Sequence, residues 1–421
     1  MNERRSEQFK KKVKKRPAPQ AARPIPPRLP QREAGFSSFF TLNRGKHTSP
    51  AALLAGMDYP GELAAKDAAL ERFWKHHKLA GRPEKIIPSP RPRGYRTTSN
   101  RRCLRRGKTL HLVMGDKRPG PVPFVPSPLE PDEHAAIYRY LQDKLSQQSF
   151  APAAEKANYL IIRGNYRNQA VIFNVRQMNG PVIRKLKIIA DHLSHEFPTV
   201  QSAFAYLAPP MSDYYLETRQ PKEGMTFKKL FGPAKLRVFH GKRRLDFHPT
   251  SFSQVNEAMA GVMVEKAHEL LAPNGREGLL DLYCGYGLFS HLLAADFAHV
   301  TGIESEGPSI MAARDNCRHT PAGKRMHFIA RRITGEVIEE LPPAKGRETV
   351  ILDPPRQGCS EGVIEAITTR GPGKVLHIFC SVDQIPKALK AWQAGGYHPK
   401  RIIPLDMFPG TTNLEVMILL N

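Results

Sequence analysis

At 421 residues, 40% hydrophobic and 24% charged, the chain is long enough for roughly two or three packed domains and is neither fibrous nor disordered throughout. No run approaches the ~18 continuous apolar residues of a membrane span, and MNERRSEQFKKKVKK at the start lacks the apolar core of a secretion signal, so a cytoplasmic protein with no membrane partner is expected. Lysine and arginine number 64 against 39 acidic residues, a formal charge of +25 that points to a polyanion, RNA or DNA before an acidic membrane surface.

Residues 1–47 read as a disordered basic tail. They contain KKKVKK and the proline- and arginine-rich RPAPQAARPIPPRLPQR, with few residues able to form a core. The composition suits a flexible arm that contacts phosphates. Residues 48–250 read as an accessory, RNA-recognition region. A helix is predicted from Tyr59, with Leu63, Leu70, Phe73 and Trp74 on one face. A turn-rich basic segment follows, with Arg91, Arg93, Arg96, Arg101, Arg102, Arg105 and Arg106 around Tyr95. Arginines interleaved with an aromatic suit phosphate contact and base stacking, which makes Tyr95 and Arg96 substrate-binding candidates; an ordinary charged hairpin is the alternative. Between residues 151 and 250, YLIIRG, AVIFNVRQ, SAFAYLAP and KLRVFHG read as strands and PVIRKLKIIADHLSHEF as a helix. They predict an α/β unit with a mixed or antiparallel sheet and no catalytic constellation.

From residue 251 to 421 the rhythm becomes strand, helix, strand. LLDLY, HVTGI, MHFIA, TVILD, VLHIFC, RIIPL and LEVMILL predict a doubly wound, mostly parallel, Rossmann-like sheet of seven strands, with ligands beyond the strands' carboxyl ends. The fold class is therefore α/β. DLYCGYGLFS follows the first of these strands and opens a helix. Gly285 and Gly287 permit a tight turn and close backbone approach to a ligand, while Ser290 stands where a dinucleotide fingerprint has its third glycine. Glu304 ends the next strand, placed for ribose hydroxyls, and the pattern fits S-adenosylmethionine better than NAD. In ILDPPRQG, Asp353 stands at a strand tip ahead of two prolines that stiffen the exit; alone it reads as a turn or cap. VLHIFC puts Cys380 at another tip. A lone cysteine is ordinarily a small buried hydrophobe. The five cysteines, Cys103, Cys284, Cys317, Cys359 and Cys380, are scattered without a C-x-x-C pair, and no disulfide framework, zinc site or iron–sulfur cluster is expected.

SFSQVNEAM, DLYCGYG, LDPPRQG, the Cys380 tip and DMFPGTTNLEVMILL stand in this order, and the set resembles the RNA uracil-5-methyltransferase family. The resemblance implies S-adenosylmethionine as methyl donor and RNA, transfer or ribosomal, as substrate. It implies cofactor contacts from Gln254, Tyr283 and Glu304, Asp353 between cofactor and uracil, Cys380 as nucleophile and Glu415 as base. A soft thiolate added to carbon 6 of uracil makes carbon 5 nucleophilic, and a base then removes the proton from carbon 5 so that the thiol can leave. The base must be single-stranded or flipped out to reach such a tip. The chain departs from the family pattern at Phe379-Cys380-Ser381-Val382, where Ser-Cys-Asn-Pro is usual, and at Asn413-Leu414-Glu415, where His-Val-Glu is usual. It also lacks the N-terminal cysteine cluster that many members carry. Ribosomal RNA is slightly favoured over transfer RNA because of the long basic tail, and a monomer is the simpler expectation. The alternatives are a methyltransferase acting on another target, an RNA-binding protein that keeps the fold without turnover, and an NAD-dependent oxidoreductase.

Overall fold

The computed structural model describes residues 35–41, 52–114, 124–207, 226–305, 307–343 and 347–421. The first helix, α1 (Tyr59–His76), begins with proline at its second position, where no amide is needed. Strands β1 (Ser99–Arg106) and β2 (Thr109–Val113) form a hairpin, followed by α2 (Asp132–Ser146), the single turn α3 (Ala151–Ala154), β3 (Ala157–Gly164) and β4 (Gln169–Val175). Helix α4 (Gly180–Glu196) starts where the Asn179 side chain accepts the Val182 amide, and it crosses over to β5 (Val200–Leu207) and then β6 (Phe227–Phe231). These six strands form one sheet in the order β2-β1-β3-β4-β5-β6. It is mixed: β4 and β5 run parallel across the α4 crossover and the other neighbours are antiparallel.

Alternation along the central strands buries both faces. Ile161 of β3 and Ala170 and Ile172 of β4 point one way, while Leu160, Ile162, Val171 and Phe173 point the other, under α2 and α4. The first face packs together with the hairpin of β7 (Leu236–His240) and β8 (Arg243–Phe247) and with α5 (Glu257–Leu271).

The second sheet holds β9 (Gly278–Leu282), β10 (His299–Glu304), β11 (Met326–Ala330), β12 (Glu348–Leu352), β13 (Lys374–Phe379), β14 (Pro399–Leu405) and β15 (Glu415–Leu420). Its order is β11-β10-β9-β12-β13-β15-β14; the first five strands are parallel, and β15 is antiparallel to both its neighbours. The central strands β9, β12 and β13 are buried almost throughout, which is why they read as mainly hydrophobic runs, while the outer β10, β11 and β14 are partly exposed. Helices α6 (Leu288–Leu293), α7 (Pro308–Asn316), α8 (Gly335–Glu339), α9 (Val363–Arg370) and α10 (Ile385–Ala394) lie in the connections. The strand order reverses between β9 and β12, and a doubly wound sheet opens its ligand crevice at that point.

The N-terminal part departs from expectation in two ways. Helix α1 packs away from the first sheet: its Leu70, Phe73 and Trp74 are buried with Leu280 and Val350 of the second sheet and Trp392 of α10, and Leu63 is partly buried there. Within the expected 1–47 tail, residues 35–41 are described and the rest lies outside the described residues. Phe36–Phe39 forms a 3-10 turn whose Phe36 ring meets Phe73 edge-on at 5.8 Å. Among the described residues no helix is long and apolar enough to cross a membrane.

Candidate active site

The turn after β9 is built on left-handed backbone. Gly285 and Gly287 have φ of 58° and 87°, and Tyr283 adopts φ 63° without being glycine. Gly287 has a second reason to lack a side chain, since a Cβ there would lie 2.6 Å from the His291 ring. Gly285 has open space in the direction of a Cβ, so its backbone can be approached closely. Its amide donates to Glu304 Oε2 at 3.1 Å, and the Ser305 amide donates to Oε1 at 2.6 Å, which fixes the Glu304 carboxylate beside the turn. Burial nonetheless raises the Glu304 pKa.

Asp281 was not singled out from the sequence, yet it lies under this turn. It is fully buried and accepts the Ser290 amide at 3.0 Å and the Ser290 hydroxyl at 2.5 Å on one oxygen, while Oδ1 has no partner. Burial pushes its carboxyl up to about 7 against the pull of Ser290, with Glu304 adding to the rise. The signal was its place at the head of DLYCGYG, where an acid inside an apolar strand needs a reason to be there.

Asp353 follows β12, and its amide donates to Leu282 O at 3.3 Å, across to the end of β9. Its pKa is raised by burial first and then by Asp281 and Glu304. Cys380 follows β13, half-buried, with Sγ 3.6 Å from the Pro354 carbonyl. The antiparallel register pairs Phe379 with Val416, so one step further sets Cys380 opposite Glu415. Glu415 is 2% exposed and its Oε2 has no hydrogen-bond partner. Burial and then Asp353 raise the Glu415 pKa, with Arg356 opposing. Burial, Asp353 and Glu415 together push the Cys380 thiol up to about 12, again with Arg356 opposing. Arg356 is an exposed residue of the DPPR loop whose guanidinium lies 6.0 Å over the Phe408 ring, and it too was not singled out.

Four carboxylates and one thiol thus converge at neighbouring strand tips. Among the described residues, none of Asp281, Glu304, Asp353 and Glu415 forms an ion pair with lysine or arginine. A ligand carrying positive charge would relieve that buried negative potential. Gly285, Gly287, Glu304 and Asp281 border the turn after β9, and Cys380 and Glu415 face each other across β13 and β15.

Tyr283 stands in the same turn and feels the Glu304 charge, whereas Gln254, Tyr95 and Arg96 fall outside this cluster. Tyr283 packs at the edge of the α1 side of the core, and its pKa is raised by burial and then by Cys359. Gln254 is half-buried in the loop before α5 and lines a narrow cleft with Ser253, Phe247 and Tyr286; no described contact joins it to Cys380. Tyr95 cannot stack on a base, because it is 0% exposed and its hydroxyl donates to the Pro409 carbonyl at 3.0 Å. Arg96 donates to Thr98 O, Arg101 is buried against Glu130, and Arg105 pairs with Glu155. Much of the arginine-rich segment is therefore structural. Arg91 differs: it is exposed and lies 4.0 Å over the Tyr166 ring. A cavity of about 820 Å³ between the 165–168 turn, the β7–β8 hairpin and α5 is lined by none of the predicted site residues.

The model of the tRNA (uracil-5-)-methyltransferase family matches residues 210–341. The chain is 31% identical over 276 residues to the 23S rRNA (uracil(1939)-C(5))-methyltransferase RlmD of Marinomonas sp., a match that covers 60% of this chain and 61% of that relative's length. It is 27% identical over 411 residues to an uncharacterized RNA methyltransferase of Geobacter sulfurreducens, covering 90% of this chain and 78% of the relative. The crystal structure of Pyrococcus abyssi tRNA (uracil-54, C5)-methyltransferase in complex with S-adenosyl-L-homocysteine superposes with a TM-score of 0.69 at 21% identity, over 90% of this chain and 88% of that one, and shares its fold.

Proposed function

We propose that the chain is a member of the RNA uracil-5-methyltransferase family and that it methylates carbon 5 of a uridine in RNA, ribosomal RNA slightly before transfer RNA; the family-model match over residues 210–341 and the likeness to an RlmD relative support that reading. The carrying observation is that Cys380 stands opposite Glu415 across β13 and β15, with Asp353 beside them. S-adenosylmethionine, held at Gly285, Gly287, Glu304 and Asp281 with Tyr283 and Gln254 nearby, would supply an electrophilic methyl group on a positively charged sulfur.

The chain's own residues divide the remaining work. Cys380 loses its proton to water, its thiolate Sγ bonds to carbon 6 of the uracil, and the ring's double-bond electrons shift toward the carbonyl at carbon 4, leaving carbon 5 nucleophilic. Asp353 holds the polar edge of the ring. With the methyl group on carbon 5, Glu415 takes the proton from that carbon, the 5,6 double bond re-forms, and the bond from sulfur to carbon 6 breaks. The raised thiol pKa fits this sequence: burial, Asp353 and Glu415 outweigh Arg356 and keep the thiol neutral, and a cationic ligand beside it would draw both Cys380 and Glu415 toward their ionised forms. The region N-terminal to residue 250 is proposed to hold the RNA, and the protein to act in the cytoplasm as a monomer.

The test uses RNA containing 5-fluorouridine and S-adenosylmethionine. Fluorine on carbon 5 cannot leave as a proton, so wild-type protein should form an RNA adduct that survives a denaturing gel, and Cys380→Ala should form none. No adduct and no methylated RNA from wild type, with the cofactor bound, would overturn the reading for the RNAs tried.

A further inference from the structure

Lys66 is 0% exposed on α1, in the segment that leaves its sequence neighbours and packs on the second sheet. Its ammonium meets three oxygens: Asp406 Oδ1 at 2.7 Å, Glu62 Oε1 at 2.8 Å and the Phe408 carbonyl at 3.2 Å. That uses all three of its donors. Asp406 takes a further bond on Oδ2 from the Tyr59 hydroxyl at 3.0 Å, and its amide donates to Ile87 O at 3.0 Å. Glu62 also accepts the Gly410 amide. Both ends of the 406–410 loop are therefore tied to α1.

This loop joins β14 to β15. Its first residue, Asp406, follows Leu405, and Leu405 is the cross-strand partner of Glu415. The cation thus acts one residue from the pair that sets where the Glu415 carboxyl sits. Packing alone does not account for it. Desolvating the Lys66 ammonium with the Asp406 and Glu62 carboxylates, the latter also paired with half-buried Arg93 at 2.9 Å, is costly, and apolar side chains fill such a space at least as stably. What ions and directed hydrogen bonds add is a single fixed arrangement of the loop.

We infer that Lys66 is a positioning residue: through Asp406 and the Phe408 carbonyl it holds the 406–410 loop, and through the Leu405–Glu415 pair it sets the Glu415 carboxyl against carbon 5 of the bound uracil. This rests on the function proposed above. It makes one step, proton removal, more sensitive to Lys66 than the steps before it.

Two RNAs separate those steps. Trapping on 5-fluorouridine RNA reports everything up to methyl transfer; turnover on uridine RNA also needs Glu415 to take the proton. Lys66→Met should slow turnover by on the order of 10- to 100-fold, the cost of ångström-scale misplacement, and leave the trapping rate within about twofold of wild type. Tyr59→Phe removes one Asp406 bond without opening a cavity and should shift turnover the same way by a smaller factor; it decides the matter if Lys66→Met does not fold by thermal melting. Equal loss of trapping and turnover, or no loss of either, overturns the inference while wild-type trapping upholds the proposed function. Failure of wild type to trap or methylate overturns both.

Discussion

Burial first and then Asp353 hold the Cys380 thiol up. Replacing Asp353 by asparagine removes a negative neighbour that disfavours the thiolate, so the thiol pKa falls from about 12 and more thiolate exists at any lower pH. Asp353→Asn should therefore raise the rate of Cys380 alkylation by iodoacetamide at about pH 8 several-fold, followed by mass spectrometry of the tryptic 375–387 peptide; an unchanged rate would mean that Asp353 has no hold on the thiol. Cys359 is also held up at about 12 by burial and serves as the internal control. At this scale the sequence was legible wherever a motif fixed a residue at a strand tip, as for Cys380, Glu415, Glu304 and Asp353. It was not legible for Tyr95, because proximity to arginines along the chain does not say which way a ring faces. Asp281 escaped because a buried acid at the end of an apolar run looks like the start of the turn.

The strand tips and α1 are the elements with most to test. Asp281 has a folded pKa of about 7 against an ordinary 3.8, so its contribution to stability is whole below 3.8 and is lost as the pH rises through 7. Buried His291 and His377 have lowered values, about 4 and about 3, and act in the opposite sense, losing stability as the pH falls below 6.5. The difference between proteins isolates the carboxylate: Asp281→Asn should gain on wild type between about pH 5 and pH 8, by up to a few kcal/mol, in thermal or chemical melts without ligand. A constant difference across that range would contradict the raised pKa.

Helix α1 can be probed through Phe73, which is 1% exposed and packed edge-on against Phe36 and Phe39. Phe73→Ala should cost about 3–5 kcal/mol in a denaturant titration, against almost nothing if α1 merely rested on the surface. The helix itself was readable from its apolar spacing. Its address was not, because nothing local says that residues 59–76 will pack beside Trp392. Strands β1 and β2 were read only as the alternative, an ordinary charged hairpin, since SNRRCLRR carries four arginines in eight residues; the structure makes that hairpin and buries its alternate positions.

Over the whole molecule, the surplus of 25 positive charges is the widest claim the sequence makes. If residues 1–34 bind RNA phosphates, deleting them should flatten the plot of log binding constant against log salt concentration by about 0.7–0.9 for each phosphate they neutralise. Fluorescence anisotropy with a labelled RNA at several salt concentrations measures it, and an identical slope would show the charge there to be unused. The seven-stranded sheet was legible nearly strand for strand, since its central parallel strands are buried on both faces and so mainly apolar. The six-stranded sheet was legible in its central strands and not at its edges, where partial exposure lets charged residues in.

Lys66 and Asp406 are 340 residues apart in the chain. Closing so distant a contact carries a large entropic penalty, and contacts of long sequence separation form late. Each sheet pairs segments closer together in the chain, so the 406–410 latch is expected to close after the sheets have formed, and φ-values near zero for substitutions at Lys66 would bear that out. A chain caught just before that moment already holds Cys380 at its strand tip, while the acid facing it still lacks its anchor. Readiness for chemistry and completion of folding then coincide, and a melt followed through this one contact would report both.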